Sequence, residues 1–169
     1  MKSEIKGQHS FCYMHIDLEP GESVIAEADA MSSMAAELDM DTMFNGGFLS
    51  GLLKKFLGGE SLFVNKFTNN TDSTRRVTLV QATPGEVRHV ELNEASDAGI
   101  CLQPGAYIAS TPGVKLGVKW AGCASLIARE GRFKLMITGS GSLWYGAFGG
   151  LVEKDIDGEF IVDTAHLVA

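Results

Sequence analysis

Short apolar runs separated by glycine-containing turns set the rhythm of the chain. SVIAEA, SLFVNKF, RRVTLVQA, EVRHVEL, AYIAS, FKLMITG, SLWYGAF and EFIVDT recur at short intervals, each rich in β-branched or aromatic residues. In several the polarity alternates: Phe133, Leu135 and Ile137 take every second place and so share one face of a strand. Twenty glycines against four prolines, scattered along the chain, mark many tight turns instead of one linker. The pattern predicts an all-β protein: a sandwich, barrel or jelly roll of short strands.

One stretch breaks the pattern. In GGFLSGLLKKFLGGESLF, residues 46–63, Phe48, Leu52 and Phe56 form one i, i+4 row and Leu49, Leu53 and Leu57 the next. On a helix these six side chains occupy about half the circumference, opposite Ser50, Gly51, Lys54 and Lys55. The lysines fall in the last turn, where positive charge complements a helix C-terminus. Gly46 and Gly47 fence the start, and Gly58 and Gly59 the end, with Gly58 placed to take the left-handed stop conformation. The spacing therefore predicts one short amphipathic helix over 48–57. Ten residues are too few to hold a helix alone in water, so its apolar face needs a cover. Three covers are open: the protein's own sheet, with the helix as a lid; a second copy of the chain; or a membrane surface, for which two lysines on an acidic chain make a weak anchor.

Parts of the chain also resemble one another. LEPGESVIAEADAM (18–31), LQPGAYIASTPGV (102–114) and DIDGEFIVDTAHLVA (155–169) each join a glycine turn to an apolar strand. GGESLFVNKFTNN (58–70) and AREGRFKLMITGSG (128–141) share a turn followed by a strand that ends in polar residues. The expectation is a single compact β domain over 1–169, made of units at about 18–83 and 100–150, with the opening strand of a third at 155–169. Units this small must share a core with their neighbours. The chain ends in an apolar run, HLVA, so the natural protein or its relatives are expected to continue.

Composition narrows the function classes. The formal net charge of −7 argues against a nucleic-acid track, which needs clustered Lys and Arg. Cys12, Cys101 and Cys123 make an odd set without CxxC spacing, as suits free thiols in a reducing cytoplasm. No signal peptide and no run of about 18 apolar residues is present.

Candidate chemistry is thin. His9, Cys12 and His15 are three apart, but on a strand Cys12 faces away from the two histidines. His89 and His166 complete a set of four separated histidines with no His-x-His pair, short of a cupin-type iron or manganese site. Ser140 in TGSGSLW has no strand-to-helix elbow around it and reads as a glycine-serine hairpin turn. Glu22 and Glu60 follow glycines at turns. The aromatic-rich segments with Ala106, Tyr107, Ile108, Trp144, Tyr145 and Phe148 read as core or inter-unit packing, with a pocket for a small apolar ligand as the alternative. No catalytic residue, metal ligand or cofactor is expected.

GGFLSGLLKKFLGGESLF, preceded by PGESVIAEADAMSSM and followed by PGAYIASTPGV and YGAFGGLVEKDIDGEFIVDTAHLVA, resembles the family of altered inheritance of mitochondria protein 24, whose bacterial members are labelled a domain of unknown function. The likeness runs from about residue 18 to the end. It implies tandem jelly-roll-like (double-stranded β-helix) units, similar in fold to the tryptophan RNA-binding attenuation protein, in members that self-associate. The resemblance carries over no enzyme activity, since none is established for the family. The expected function is a non-enzymatic, cytoplasmic assembly or binding module that forms a homo-oligomer, such as a trimeric ring, through the face at 48–57. The alternative is a small-molecule-binding or metal-dependent jelly-roll enzyme.

Overall fold

Met14, Ile16 and Leu18 alternate with Tyr13, His15 and Asp17, and this stretch forms a strand whose every second residue is buried. The same principle builds the rest of the protein. The computed structural model describes residues 1–7, 10–44, 63–95, 99–103, 105–120, 133–163 and 166–169. Among these residues the protein is all-β, with thirteen strands and a single 3-10 turn at Ala28–Ala30.

The strands are β1 Lys2–Lys6, β2 Tyr13–Leu18, β3 Ser23–Glu27, β4 Met31–Met34, β5 Asp39–Phe44, β6 Phe63–Thr68 and β7 Arg75–Val80. They continue as β8 Gly85–Leu92, β9 Ile100–Leu102, β10 Tyr107–Ser110, β11 Val114–Trp120, β12 Phe133–Gly139 and β13 Gly141–Phe148. They form three antiparallel sheets, in the orders β1-β2-β7-β4, β5-β6-β3-β10-β13-β8 and β11-β12-β9.

The six-stranded sheet is the middle layer. Consecutive residues along its strands feed two different cores: Ile108, Trp144 and Phe67 pack with Met14, Ile16, Val77 and Leu79 of the four-stranded sheet. Tyr107, Leu143 and Val64 pack instead with Leu102, Leu135 and Ile137 of the three-stranded sheet. A strand covered on both faces needs no alternation, so all four residues of β10 are buried.

The pairing order recurs along the chain. β7 lies between β2 and β4, and β6 between β5 and β3; in the same way β13 lies between β8 and β10, and β12 between β11 and β9. Even an irregularity recurs: β4 shifts register against β7 between Met31 and Ser33, and β10 shifts against β13 between Tyr107 and Ala109.

Seven of the eight apolar runs fall in strands. The eighth, EFIVDT, does not: residues 159–163 lie in no strand, and Phe160, Ile161 and Val162 are exposed. Ser140 sits in a turn, as its glycine neighbours require, with φ of 95° at Gly139 and 130° at Gly141. That turn is a corner and not a hairpin, because it carries the chain from β12 in one sheet to β13 in another.

Candidate assembly surfaces

The apolar face expected to mediate assembly, Phe48, Leu49, Leu52, Leu53, Phe56 and Leu57, lies outside the described residues. So do its flanking turns, Gly46, Gly47, Gly58 and Gly59, and the helix expected over 48–57. The structure fixes where this segment is rooted. Phe44 and Phe63, the residues on either side of it, are paired across β5 and β6. In the second half, Trp120 and Phe133 are paired in the same way across β11 and β12 on either side of residues 121–132.

The described residues show how the two halves of the chain are joined. β3 and β10 meet at the centre of the six-stranded sheet, with Ala109 opposite Ala26 and Ser110 opposite Ile25. Ala26, Ala109 and Ser110 are completely or almost completely buried. Tyr107 crosses this seam: its hydroxyl donates to the Ile25 carbonyl at 3.1 Å and lies 3.0 Å from Ser110 Oγ. Burial raises the Tyr107 pKa well above the ordinary phenol value, so the donor proton is retained.

Two edges correspond to this seam in the pairing order, and one of them is partly covered: just past β9, Gln103 N–H donates to the Val168 carbonyl at 2.9 Å. Among the described residues, β4 pairs only with β7 and β9 pairs only with β12. Such edges present unpaired main-chain groups and invite another strand. The other sheet ends are guarded to different degrees. β1 carries Lys2, Glu4 and Lys6, and β5 carries Asp39 and Asp41. The β8 edge is strapped by the chain that follows β13: Glu86 accepts from Leu151 N–H at 3.0 Å, and Arg88 donates to the Leu151 carbonyl at 3.0 Å.

Large apolar side chains also lie on the outside. Phe148 is 80% exposed, Val152 91% and Ile161 97%, with Ile156 and Phe160 nearby in sequence. The aromatic segments thus divide: Ala106, Tyr107, Ile108 and Trp144 are core, Tyr145 is half-buried and Phe148 faces out.

The polar candidates scatter. Cys12 precedes β2, is buried and has its thiol 3.6 Å from the Gly7 carbonyl, while His15 on β2 holds Thr78 Oγ1 at 3.0 Å; His9 lies outside the described residues. His166 is exposed, 3.9 Å from Asp163. Ser140 Oγ accepts from Glu94 N–H at 3.1 Å. Glu22 closes its own turn by accepting from Glu19 N–H at 2.9 Å; Glu60 and Cys123 lie outside the described residues. Among the described residues, no three His, Cys, Asp or Glu side chains gather as metal ligands.

One cluster was not evident from spacing. On β8 and β13, Glu91 accepts from Ser142 Oγ and is 3.0 Å from His89 Nε2, while the His89 ring stacks on Trp144 at 5.0 Å. The residue types are those of a hydrolase triad, but the order is wrong. The carboxylate sits between serine and histidine, so histidine cannot take the serine proton. Cross-strand register alone would have revealed it, since Ser142 lies opposite Glu91 and Trp144 opposite His89.

No helix among the described residues is long and apolar enough to cross a membrane. The sequence is 28% identical, over 178 aligned positions, to an uncharacterized protein of Streptococcus pyogenes serotype M6; the match takes in all of this chain and 70% of that protein. The fold is similar to the crystal structure of protein SPYM3_0169 from Streptococcus pyogenes, with a TM-score of 0.66 and 26% identity over 88% of this chain. The chain spans about two thirds of that solved relative, 65% of its length. The sequence profile of the family described as mitochondrial biogenesis AIM24 matches residues 3–169, and the chain belongs to that family.

Proposed function

We propose that this protein is a non-enzymatic assembly module, built from two tandem jelly-roll-like units, that self-associates in the cytoplasm into a small closed ring such as a trimer. The apolar set Phe48, Leu49, Leu52, Leu53, Phe56 and Leu57 supplies a surface for that association. The observation that carries the reading is the amount of large apolar side chain left facing out: Phe148, Val152, Ile156 and Ile161 are all at least 60% exposed. Exposed apolar side chains of this size mark interaction sites where they gather into a patch. The net charge of −7 favours a protein partner over nucleic acid.

Leu53→Asp tests the proposal, because it places a charge in the middle of the apolar set. Light scattering is expected to show a multiple of the chain mass for the wild type and a smaller particle for the variant, since an unpaired charge is costly in a buried interface. Unchanged size and melting temperature would remove the set from any buried role. A stoichiometric metal retained by the purified protein on two or more histidines would favour the rival reading, a metal-dependent enzyme.

A further inference from the structure

We propose that copies of this chain join head to tail by pairing the acidic edge strand β5 of one copy with the basic edge strand β11 of the next. This rests on the self-association proposed above and names the surface through which it runs.

The argument starts from charge along two strands. β5, DMDTMF, holds two acidic residues, Asp39 and Asp41, and no basic one. β11, VKLGVKW, holds two basic residues, Lys115 and Lys119, and no acidic one. With a strand period of two, Asp39 and Asp41 share one face of β5, and Lys115 and Lys119 share one face of β11. Both strands lie at sheet ends: β5 ends the six-stranded sheet and β11 the three-stranded sheet. Among the described residues, β5 pairs only with β6 and β11 only with β12. Residues 39–42 are all exposed, so this part of β5 faces solvent on both sides; Lys115 and Gly117 of β11 are exposed as well.

An edge that carries one sign of charge repels its own kind and selects the other. Two β5 strands side by side would set aspartates against aspartates, and two β11 strands lysines against lysines. β5 beside β11 brings opposite charges together. No other pair of sheet ends among the described residues offers this. β1 mixes Lys2, Glu4 and Lys6, MSSM of β4 is uncharged, β8 is strapped at Glu86, and β9 runs into the contact with Val168. Inside the molecule these charges are unevenly met. Asp41 lies opposite Lys66, whereas Asp39 lies opposite Thr68 and accepts from the neutral amide of Asn70 at 2.6 Å. Lys119 lies opposite Lys134 on β12, a like-charge placement that a nearby acid would relieve. The Lys115–Glu94 pair at 2.8 Å has both side chains at least 60% exposed and holds Lys115 only weakly. An antiparallel register with Asp39 opposite Lys119 takes in all of β5. Asp41 then lies opposite Gly117, with Lys115 and Lys119 on its two diagonals. Phe44, at the far end, leads directly toward the apolar set at 48–57, so the two surfaces are continuous along the sequence. Each copy carries one edge of each sign, and a closed head-to-tail ring satisfies them all.

Two charge-reversed variants test the contact. Asp39→Lys/Asp41→Lys makes both edges basic, and Lys115→Glu/Lys119→Glu makes both acidic. Light scattering over a dilution series should show each variant dissociated where the wild type assembles, its association weakened about 100-fold, because like charges now meet across the contact. Mixing the two variants should restore complexes that contain both, since each basic edge then finds an acidic one. The fourfold variant, with both reversals in one chain, should return to the wild-type mass, which also shows that the reversed strands fold. Variants that stay assembled on their own, or a mixture that stays dissociated, would overturn the β5–β11 contact and leave self-association standing. A wild type that is a single chain at every concentration would overturn both.

Discussion

Asp17 and Arg76 sit opposite each other on β2 and β7 and form a forked pair, Nε to Oδ1 at 2.7 Å and Nη2 to Oδ2 at 2.9 Å. The hydrogen bonding from Arg76 is the main reason that the Asp17 carboxyl titrates below its ordinary value of 3.8; partial burial opposes the shift and the positive charge of Arg76 reinforces it. A carboxyl that is more acidic folded than unfolded stabilises the fold above the unfolded value, and that help is lost as pH falls through the depressed one. Arg76→Leu should therefore reduce stability modestly at pH 6, with the difference from wild type closing toward pH 2. Urea denaturation at both pH values measures it; a difference that ignores pH would contradict the pairing. This contact was invisible in the sequence, where Arg76 opens the run RRVTLVQA far along the chain from Asp17. A pair of residues far apart along the chain becomes a pair in space only when the register of two strands is known.

Strands differ in how plainly they show. β3, β6, β7, β10, β12 and β13, which are interior strands, and β8, an edge strapped by the chain that follows β13, stand out as β-branched or aromatic runs. The edge strands β1, β4, β5, β9 and β11 are short, polar or charged, and KSEIK, MSSM and ICL carry no periodic signal strong enough to separate them from loops. EFIVDT shows the reverse: it has the composition of a strand but has no ladder, because β-propensity acts only where a partner strand is present. At the β3–β10 seam the sequence was more informative, since AYIAS reads as buried packing and proves to be the doubly covered strand beside it. Tyr107→Phe removes the one side-chain hydrogen bond that Tyr107 sends across that seam to Ile25. The cost should be about 1–3 kcal/mol in chemical denaturation, the penalty for leaving a buried partner unpaired. A change within error would mean that main-chain pairing alone holds the seam.

At the scale of the whole molecule, the all-β class was legible from turns and alternation, while the three-layer order was not, because sheet order depends on long-range pairing. The internal resemblance illustrates the difference. EPGE and QPGA introduce the same turn: Gly21 and Gly105 both have φ of 81°, and Glu22 and Ala106 N–H groups donate three residues back, to Glu19 and Gln103. Yet one turn joins β2 to β3 and the other joins β9 to β10, places that do not correspond in the pairing order. A shared turn motif records local backbone chemistry and not position in the fold. By contrast, 58–70 and 128–141 lead into β6 and β12, which do correspond. The face expected at 48–57 was legible as a need for cover, and its roots at Phe44 and Phe63 lie at one end of the β5–β6 hairpin.

Assembly is the claim on which the functional account stands, and native mass spectrometry of the wild-type protein tests it most directly. The account predicts one closed species at a fixed multiple of the chain mass, with a trimer as the leading expectation, persisting on dilution. A single-chain mass at every concentration would contradict it.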